Sequence, residues 1–222
     1  LLFLYKEMNF FMMGYRLSIF RHGRTAANDL GIYIGKTDYP LSESGKKELI
    51  EKTDEFIYPK VQRVYSSPLK RCTETAEILF PDREMITVND LRELDLGDFE
   101  GKSVDDLINR DDYKKWLKGG IDNTPPSGES IQEMTLRVFS ALNQIILNMM
   151  SEDFTHCAII THSGIVSNMV SCFGIPKYNP KDLVCDAGEG FEVLVTAQMW
   201  QRSQAFEVLG KVPYYGSGTE FD

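Results

Sequence analysis

The sequence predicts an α/β fold of three layers, with helices on both faces of a mostly parallel sheet. Two apolar runs, Leu17-Ser18-Ile19-Phe20 and Ala158-Ile159-Ile160-Thr161, have the length and composition of buried strands. Strand-like and helix-like segments alternate through the first half of the chain, as parallel pairing through helical crossovers requires. Each of the two runs also leads into a histidine, His22 after Arg21 and His162 after Thr161. Open α/β sheets bind ligands at the carboxyl ends of their strands, so these histidines point to one shared site.

Residues 15–20 form the first expected strand, and 21–28 the loop and turn leaving it. Ser42 is an N-cap, and Leu49, Ile50, Phe56 and Ile57 give an amphipathic helix to about Tyr58. A strand at 61–65 ends at Ser66-Ser67-Pro68. Pro68 and the run Cys72, Thr75, Ala76, Leu79 start the next helix, with Arg71 in its first turns. A short strand is expected at 85–88 and irregular chain at 91–101. Short helices at 104–108 and 112–117 follow, then a loop at 124–128. The strongest helix spans Ser130 to about Met150, with Ile131, Met134, Val138, Leu142, Ile145 and Met149 in helical register. Strand 156–161, helix 164–173 and strands 192–196 and 205–209, joined near Gln201-Arg202-Ser203, complete the pattern. Residues 1–14 read as an extension of uncertain order, and 15–222 as a single domain with an insertion at about 91–127.

At 222 residues and 42% hydrophobic content, the chain can bury one sizeable core. Its formal charge of −9 argues against a general nucleic-acid or anionic-membrane surface, so an anionic ligand needs a local cationic pocket. The four cysteines lack C-x-x-C spacing and read as free thiols in a reducing cytoplasm. The first fourteen residues open on Leu1 and are apolar but interrupted by Lys6, Glu7 and Asn9. They read as an extension rather than a signal peptide, and no stretch reaches transmembrane length.

Phosphoryl transfer needs cationic donors, an in-line nucleophile and an acid for the departing oxygen. Arg21 and Arg71 both follow expected strand ends, and a guanidinium fork matches phosphate oxygens with two parallel bonds. A neutral imidazole can take the phosphoryl group covalently. His22 is the better nucleophile, because Gly23 beside it leaves room for close approach; His162 is then a donor to the phosphoryl oxygens. The acid lies among Glu93, Asp95, Asp98 and Glu100, and spacing does not choose between them. His156 opens a strand outside any such pattern and reads as structural. Thr25 and Asn28 fit a turn or a helix cap. Met134, Thr135 and Met149 on the long helix read as core or surface residues. A metal held by His22, His162 and a carboxylate is disfavoured by the two nearby arginines.

These segments resemble the histidine phosphatase superfamily, the phosphoglycerate mutase-like family. Arg21-His22-Gly23 with Thr25 and Asn28 is similar to its opening signature, continued by residues 33–42 and Gly45. Ser66 to Arg71 with Thr75-Ala76, Leu91 to Gly101, and Thr161-His162-Ser163-Gly164 resemble the later signatures, and Gly128-Glu129-Ser130 with Arg137 a further element. The match runs in order from about Tyr15 to Phe173. It implies a phosphoglycerate mutase-like fold, His22 as phosphorylated nucleophile, Arg21, Arg71 and His162 as the phosphate pocket, and Glu93 as proton donor. It further implies phosphate or substrate contacts at Thr25 and Asn28, with Ser163 lining the pocket through its backbone. No metal or organic cofactor is implied for hydrolysis.

Cofactor-dependent phosphoglycerate mutases of this family usually carry Arg and Tyr just after the donor glutamate and an Arg-Arg-Ser element before the long loop. Here Leu94-Asp95-Leu96-Gly97 follows Glu93, and no arginine pair precedes Pro125-Pro126-Ser127-Gly128. The expectation is therefore a phosphatase for a small phosphate monoester, similar to the alpha-ribazole phosphatase type, with phosphoglycerate mutase as the alternative. A non-catalytic phosphate-binding protein would have lost His22 or the acid, and both are present. Substrate contacts are expected from the insertions at 91–127 and 177–190. Oligomeric state is not legible.

Overall fold

The computed structural model describes residues 14–215. The expected extension at 1–14 therefore lies outside the described residues, apart from Gly14, which opens the first strand. In chain order the elements are β1 (Gly14–Arg21), α1 (Ala26–Asp29), α2 (Glu43–Glu55), β2 (Phe56–Ile57), β3 (Arg63–Ser66), α3 (Lys70–Leu79) and β4 (Met85–Thr87). After a stretch with two 3-10 turns come α4 (Val104–Leu107), α5 (Asp111–Leu117), α6 (Ile131–Ser151), β5 (His156–Thr161), α7 (Ser163–Phe173) and β6 (Gly174–Ile175). β7 (Gly190–Thr196), α8 (Ala197–Ser203), β8 (Phe206–Val212) and β9 (Tyr214–Tyr215) finish the described chain.

Seven strands make one sheet in the order β4-β3-β5-β1-β7-β8-β6. Four of the six pairings are parallel, and only β7 runs against both its neighbours. Alternate residues of the central strands enter different cores, as the two-residue period of a strand demands. Leu17, Ile19, Cys157 and Ile159 face α6 and α7, packing with Val138, Leu142, Ile145 and Val166. Phe20, Ala158 and Ile160 face the other way, against Leu49 of α2 and Cys72, Ala76 and Leu79 of α3. The result is the expected three-layer α/β/α arrangement.

Helix starts follow local chemistry. Ser42 Oγ accepts from the backbone N–H of Gly45, and Ser130 and Glu133 form a capping box at the head of α6. Several boundaries differ from the periodicity. Residues 26–29, expected as turn, form the single helical turn α1 because Thr25 and Asn28 cap it. The helix expected to reach Tyr58 stops at Glu55, since Phe56 and Ile57 pair with Tyr215 and Tyr214 in a separate ribbon. Ile50 and Ile57, each 52% exposed, and Ile131, 37% exposed, therefore do not join the core. The strand expected at 61–65 starts two residues later and ends at Ser66, and that expected at 205–209 runs on to Val212. The link expected near residues 201–203 is the helix α8.

The segment expected as an insertion carries its own small core of Leu96, Phe99, Leu107 and Tyr113, with Tyr33 and Trp116 packed against it. Tyr113 meets Phe99 edge to face, and its hydroxyl shares a 2.7 Å hydrogen bond with that of Tyr33. Among the described residues, no helix is long and apolar enough to cross a membrane.

Candidate active site

The register of the central strand pair assembles the site. β1 and β5 run parallel with Arg21 opposite Thr161, and the backbone N–H of His22 donates to the Thr161 carbonyl at 2.9 Å. The next residue on each strand is a histidine, so the two rings meet edge to face with centroids 5.1 Å apart. The neighbouring strand β3 runs parallel to β5 and delivers α3, which places Arg71 in its first turn.

His22 is buried, and its Nδ1 lies 2.6 Å from the Gly23 carbonyl oxygen. A carbonyl only accepts, so Nδ1 carries the proton and Nε2 is left with its lone pair. Burial, then the adjacent Arg71 charge, pushes the imidazole pKa down to about 3, against the donation to Gly23, so the ring is neutral near neutral pH. His162 is fully buried. Arg71 Nε donates to its Nδ1 at 3.2 Å, which leaves the proton on Nε2, 2.9 Å from Ser67 Oγ. Burial and the nearby His22 and Arg71 hold its pKa well below the ordinary value.

Arg71 is 1% exposed, and its two terminal nitrogens donate at 2.8 Å to the carbonyls of Thr37 and Gly35. That loop is itself fixed by Glu100, whose carboxylate accepts from the N–H groups of Gly35 and Lys36 and from Thr37 Oγ1. Arg21 donates through Nη1 to the Cys185 carbonyl at 2.9 Å, while its Nε is buried without a partner among the described residues. A buried cationic N–H without an acceptor is costly, and an anion in the site would satisfy it.

The four acids of the 91–101 segment separate by surroundings. Asp98 is exposed, Asp95 pairs with Lys36 and accepts from the N–H of Gly97, and Glu100 is occupied by its loop. Glu93 instead accepts from the N–H of Gly164 at 3.1 Å, at the start of α7 and two residues past His162. Burial raises its pKa, against the donation from Leu94 and Gly164 and the charge of Arg71, which favours a protonated carboxyl. A Cβ at position 164 would lie 2.5 Å from Glu93 Oε1, so a side chain there would push the carboxyl group aside. Arg137 fixes the same segment. It donates to the carbonyls of Asp90, Arg92 and Glu93 and forms a two-bond pair with Glu129 at 2.6 and 2.7 Å.

Other expected positions sit differently. Ser163 is half-buried at the first position of α7. Thr25 and Asn28 are bound to each other, with Asn28 Oδ1 accepting from the Thr25 N–H and hydroxyl at 3.0 Å. Gly23 is glycine for a different reason than expected: an added Cβ would meet Leu49 Cδ1 at 2.6 Å, so core packing fills the space assigned to substrate. His156 lies at the amino end of β5, bonded to Ser18 and facing Glu192, away from the site. Sequence reasoning missed the Glu100 latch and the Arg137 clamp, because each acts on backbone carbonyls or N–H groups that no residue pattern displays.

A neutral imidazole with a free Nε2, two arginines, a second histidine and a half-buried carboxyl group fit a phosphate-handling enzyme of the α/β class. The profile of the Histidine phosphatase superfamily (branch 1) matches residues 17–202, and the chain belongs to that family. It is 28% identical over 159 residues to putative phosphoserine phosphatase 2 of Hydrogenobacter thermophilus, covering 70% of this chain and 76% of that one. It is also 28% identical to the adenosylcobalamin/alpha-ribazole phosphatase of Salmonella typhimurium, over 70% and 78% of the two chains. A probable phosphoglycerate mutase of Proteus mirabilis is 28% identical over 73% and 77%. The fold matches that of a putative alpha-ribazole-5'-P phosphatase from Escherichia coli with a TM-score of 0.73 at 21% identity, covering 94% and 99%.

Proposed function

We propose that the protein hydrolyses a small phosphate monoester through a phosphohistidine at His22. The observation that carries this reading is the 2.6 Å contact of His22 Nδ1 with its own chain at Gly23, which leaves Nε2 unprotonated beside His162, Arg21 and Arg71. In the first step the Nε2 lone pair attacks phosphorus, and the bond from phosphorus to the ester oxygen breaks. Glu93 gives its proton to that oxygen, and the alcohol leaves neutral. Arg21 and Arg71 stabilise charge on the equatorial oxygens, and His162 joins them by giving its Nε2 proton to a phosphoryl oxygen in place of Ser67 Oγ. In the second step the Glu93 carboxylate takes a proton from water, whose oxygen attacks phosphorus; the phosphorus–nitrogen bond breaks and phosphate is released. Thr25 and Asn28 orient the loop behind His22 and supply secondary contacts, and Ser163 lines the pocket with its backbone.

The reading includes a single catalytic domain over residues 15–222, working in the cytoplasm on a small molecule rather than a nucleic acid. An alpha-ribazole-like phosphate is the favoured substrate, on the Leu91–Gly101 and Thr161–Gly164 segments. The test is rapid alkaline quenching with a labelled monoester, conditions under which phosphohistidine survives. Wild-type protein retains label and His22→Ala does not; wild-type protein that turns over substrate without retaining label rejects the covalent route. Assay with 3-phosphoglycerate and its bisphosphate primer separates hydrolysis from mutase activity.

A further inference from the structure

Beside Glu93 and Gly164 lies a cavity of about 550 Å³. Its walls come mainly from α6, through Ile131, Met134 and Leu136, and from α7, through Asn168 and Cys172. Among the described residues lining it, Glu93 is the only charged one. The remaining polar groups are neutral amides and hydroxyls. Asn168 Nδ2 donates to Thr135 Oγ1 at 2.8 Å, and that hydroxyl gives its own proton to the Ile131 carbonyl. This order fixes the amide with Oδ1 as its acceptor, and Oδ1 is buried without a partner among the described residues. At the rim, Leu136 and Ile121 are each 64% exposed, large apolar side chains presented to solvent.

The place of this cavity relative to the acid decides its occupant. A proton donor must lie within hydrogen-bond reach of the leaving oxygen, so the alcohol extends from Glu93 into whatever space adjoins it. A volume of this size accepts a ligand body well beyond a three-carbon acid. A carboxylate placed there would be stripped of water against Glu93, with no cation in the described lining to compensate. We propose that this cavity receives the alcohol portion of the substrate and selects phosphate monoesters of bulky, uncharged alcohols with an aromatic or apolar body. The proposal rests on the phosphatase reading above. It also moves most of substrate selection from the two insertions, which contribute Glu93, Leu94, Ile121 and Pro180, to the facing sides of α6 and α7.

Steady-state kcat/KM of the full chain for 2-naphthyl phosphate, phenyl phosphate and 3-phosphoglycerate tests it. The two aryl esters have leaving groups of similar acidity and differ in bulk. The naphthyl ester is expected to exceed the phenyl ester about tenfold, by burial of the added ring, with 3-phosphoglycerate below both. Leu136→Glu, at a solvent-facing position, lowers the naphthyl-to-phenyl ratio at least about fivefold. Cys172 is the one exposed cysteine of the four, so a bulky maleimide placed there lowers the same ratio without a substitution. Equal values for the two aryl esters, preference for the anionic substrate, or a ratio that neither modification moves overturns the inference. In each of those cases labelling of His22 persists, and the phosphatase reading stands. Loss of labelling with every substrate rejects both.

Discussion

The carboxyl group of Glu93 rests on the backbone N–H of Gly164, 3.1 Å away, in the same helical turn that His162 leads into. The proposed proton donor and His162 are thus tied to one helix start. Gly164→Ala is expected to displace Glu93, since its Cβ would fall 2.5 Å from Oε1. The expected result is a loss of about tenfold to a hundredfold in kcat for alkyl phosphates, with a smaller loss for nitrophenyl phosphate, whose leaving group needs no acid. Equal losses on both substrates, measured by steady-state kinetics, would reject the proton-donor role.

Glu93→Gln carries the pH dependence of the same step. Burial raises the Glu93 pKa, so the acid form persists above the ordinary carboxylate range, and activity is expected to fall as pH rises through that raised value. The variant should lose this alkaline limb while keeping a flat, lower rate. His22 contributes no acidic limb until pH approaches about 3, the value to which its burial pushes it. An acidic limb in the wild-type kcat profile with an inflection near 6.5 would contradict this.

Stability should respond to pH through the same imidazoles. His22 titrates at about 3 in the folded chain against an ordinary 6.5, so between these values the unfolded chain binds the extra proton. Stability is therefore fully present above about 6.5 and falls as pH drops toward 3. His162 acts in the same direction. Thermal melts from pH 7.5 to 4.5 should show a shallower decline for His22→Asn than for wild type.

Arg71 depends on a residue it does not touch. Glu100 holds the N–H groups of Gly35 and Lys36, and Arg71 donates to the carbonyls of Gly35 and Thr37 in that loop. Glu100→Ala is expected to weaken inhibition by inorganic phosphate roughly tenfold, through a loosened guanidinium, with little change in melting temperature. Glu100→Gln, which keeps one carbonyl acceptor, should recover part of the loss. Unchanged phosphate inhibition in Glu100→Ala would show that the latch does not matter to binding.

Arg137→Ala should lower both stability and kcat. Its guanidinium ties Glu129 to three carbonyls of the segment leading to Glu93, in a largely buried position. Loss of these charge-assisted bonds costs about 2 kcal/mol, readable in urea unfolding, and frees the Glu93 backbone. A stability loss with unchanged kcat would separate the clamp from the reaction.

Residue patterns carried the layer arrangement because buried strands and amphipathic helices write their periods directly into the chain, as Leu17, Ile19, Val138 and Leu142 do. They also carried the placement of His22 and His162, since both follow strand ends. What they could not carry depends on pairing between distant segments. Phe56 and Ile57 continue a helical pattern, yet partners at Tyr214 and Tyr215 draw them into a strand. Spacing could not rank Glu93 above Asp95, Asp98 and Glu100, because the distinction lies in which backbone N–H groups each one meets. Gly23 was legible as a close approach, but not as one made by Leu49. Met134 and Thr135 fit core and surface by their helical positions, and only the packing of α6 against α7 opens a cavity between such residues.

The single register that sets Arg21 opposite Thr161 also fixes when the site can exist during synthesis. β1 and α3 leave the ribosome long before β5, so Arg21, His22 and Arg71 are without His162 while α6 is still being made. No shortened chain ending before His162 can hold phosphate in this way, however well its early helices form. A nascent molecule is therefore expected to be catalytically silent until β5 has paired with β1.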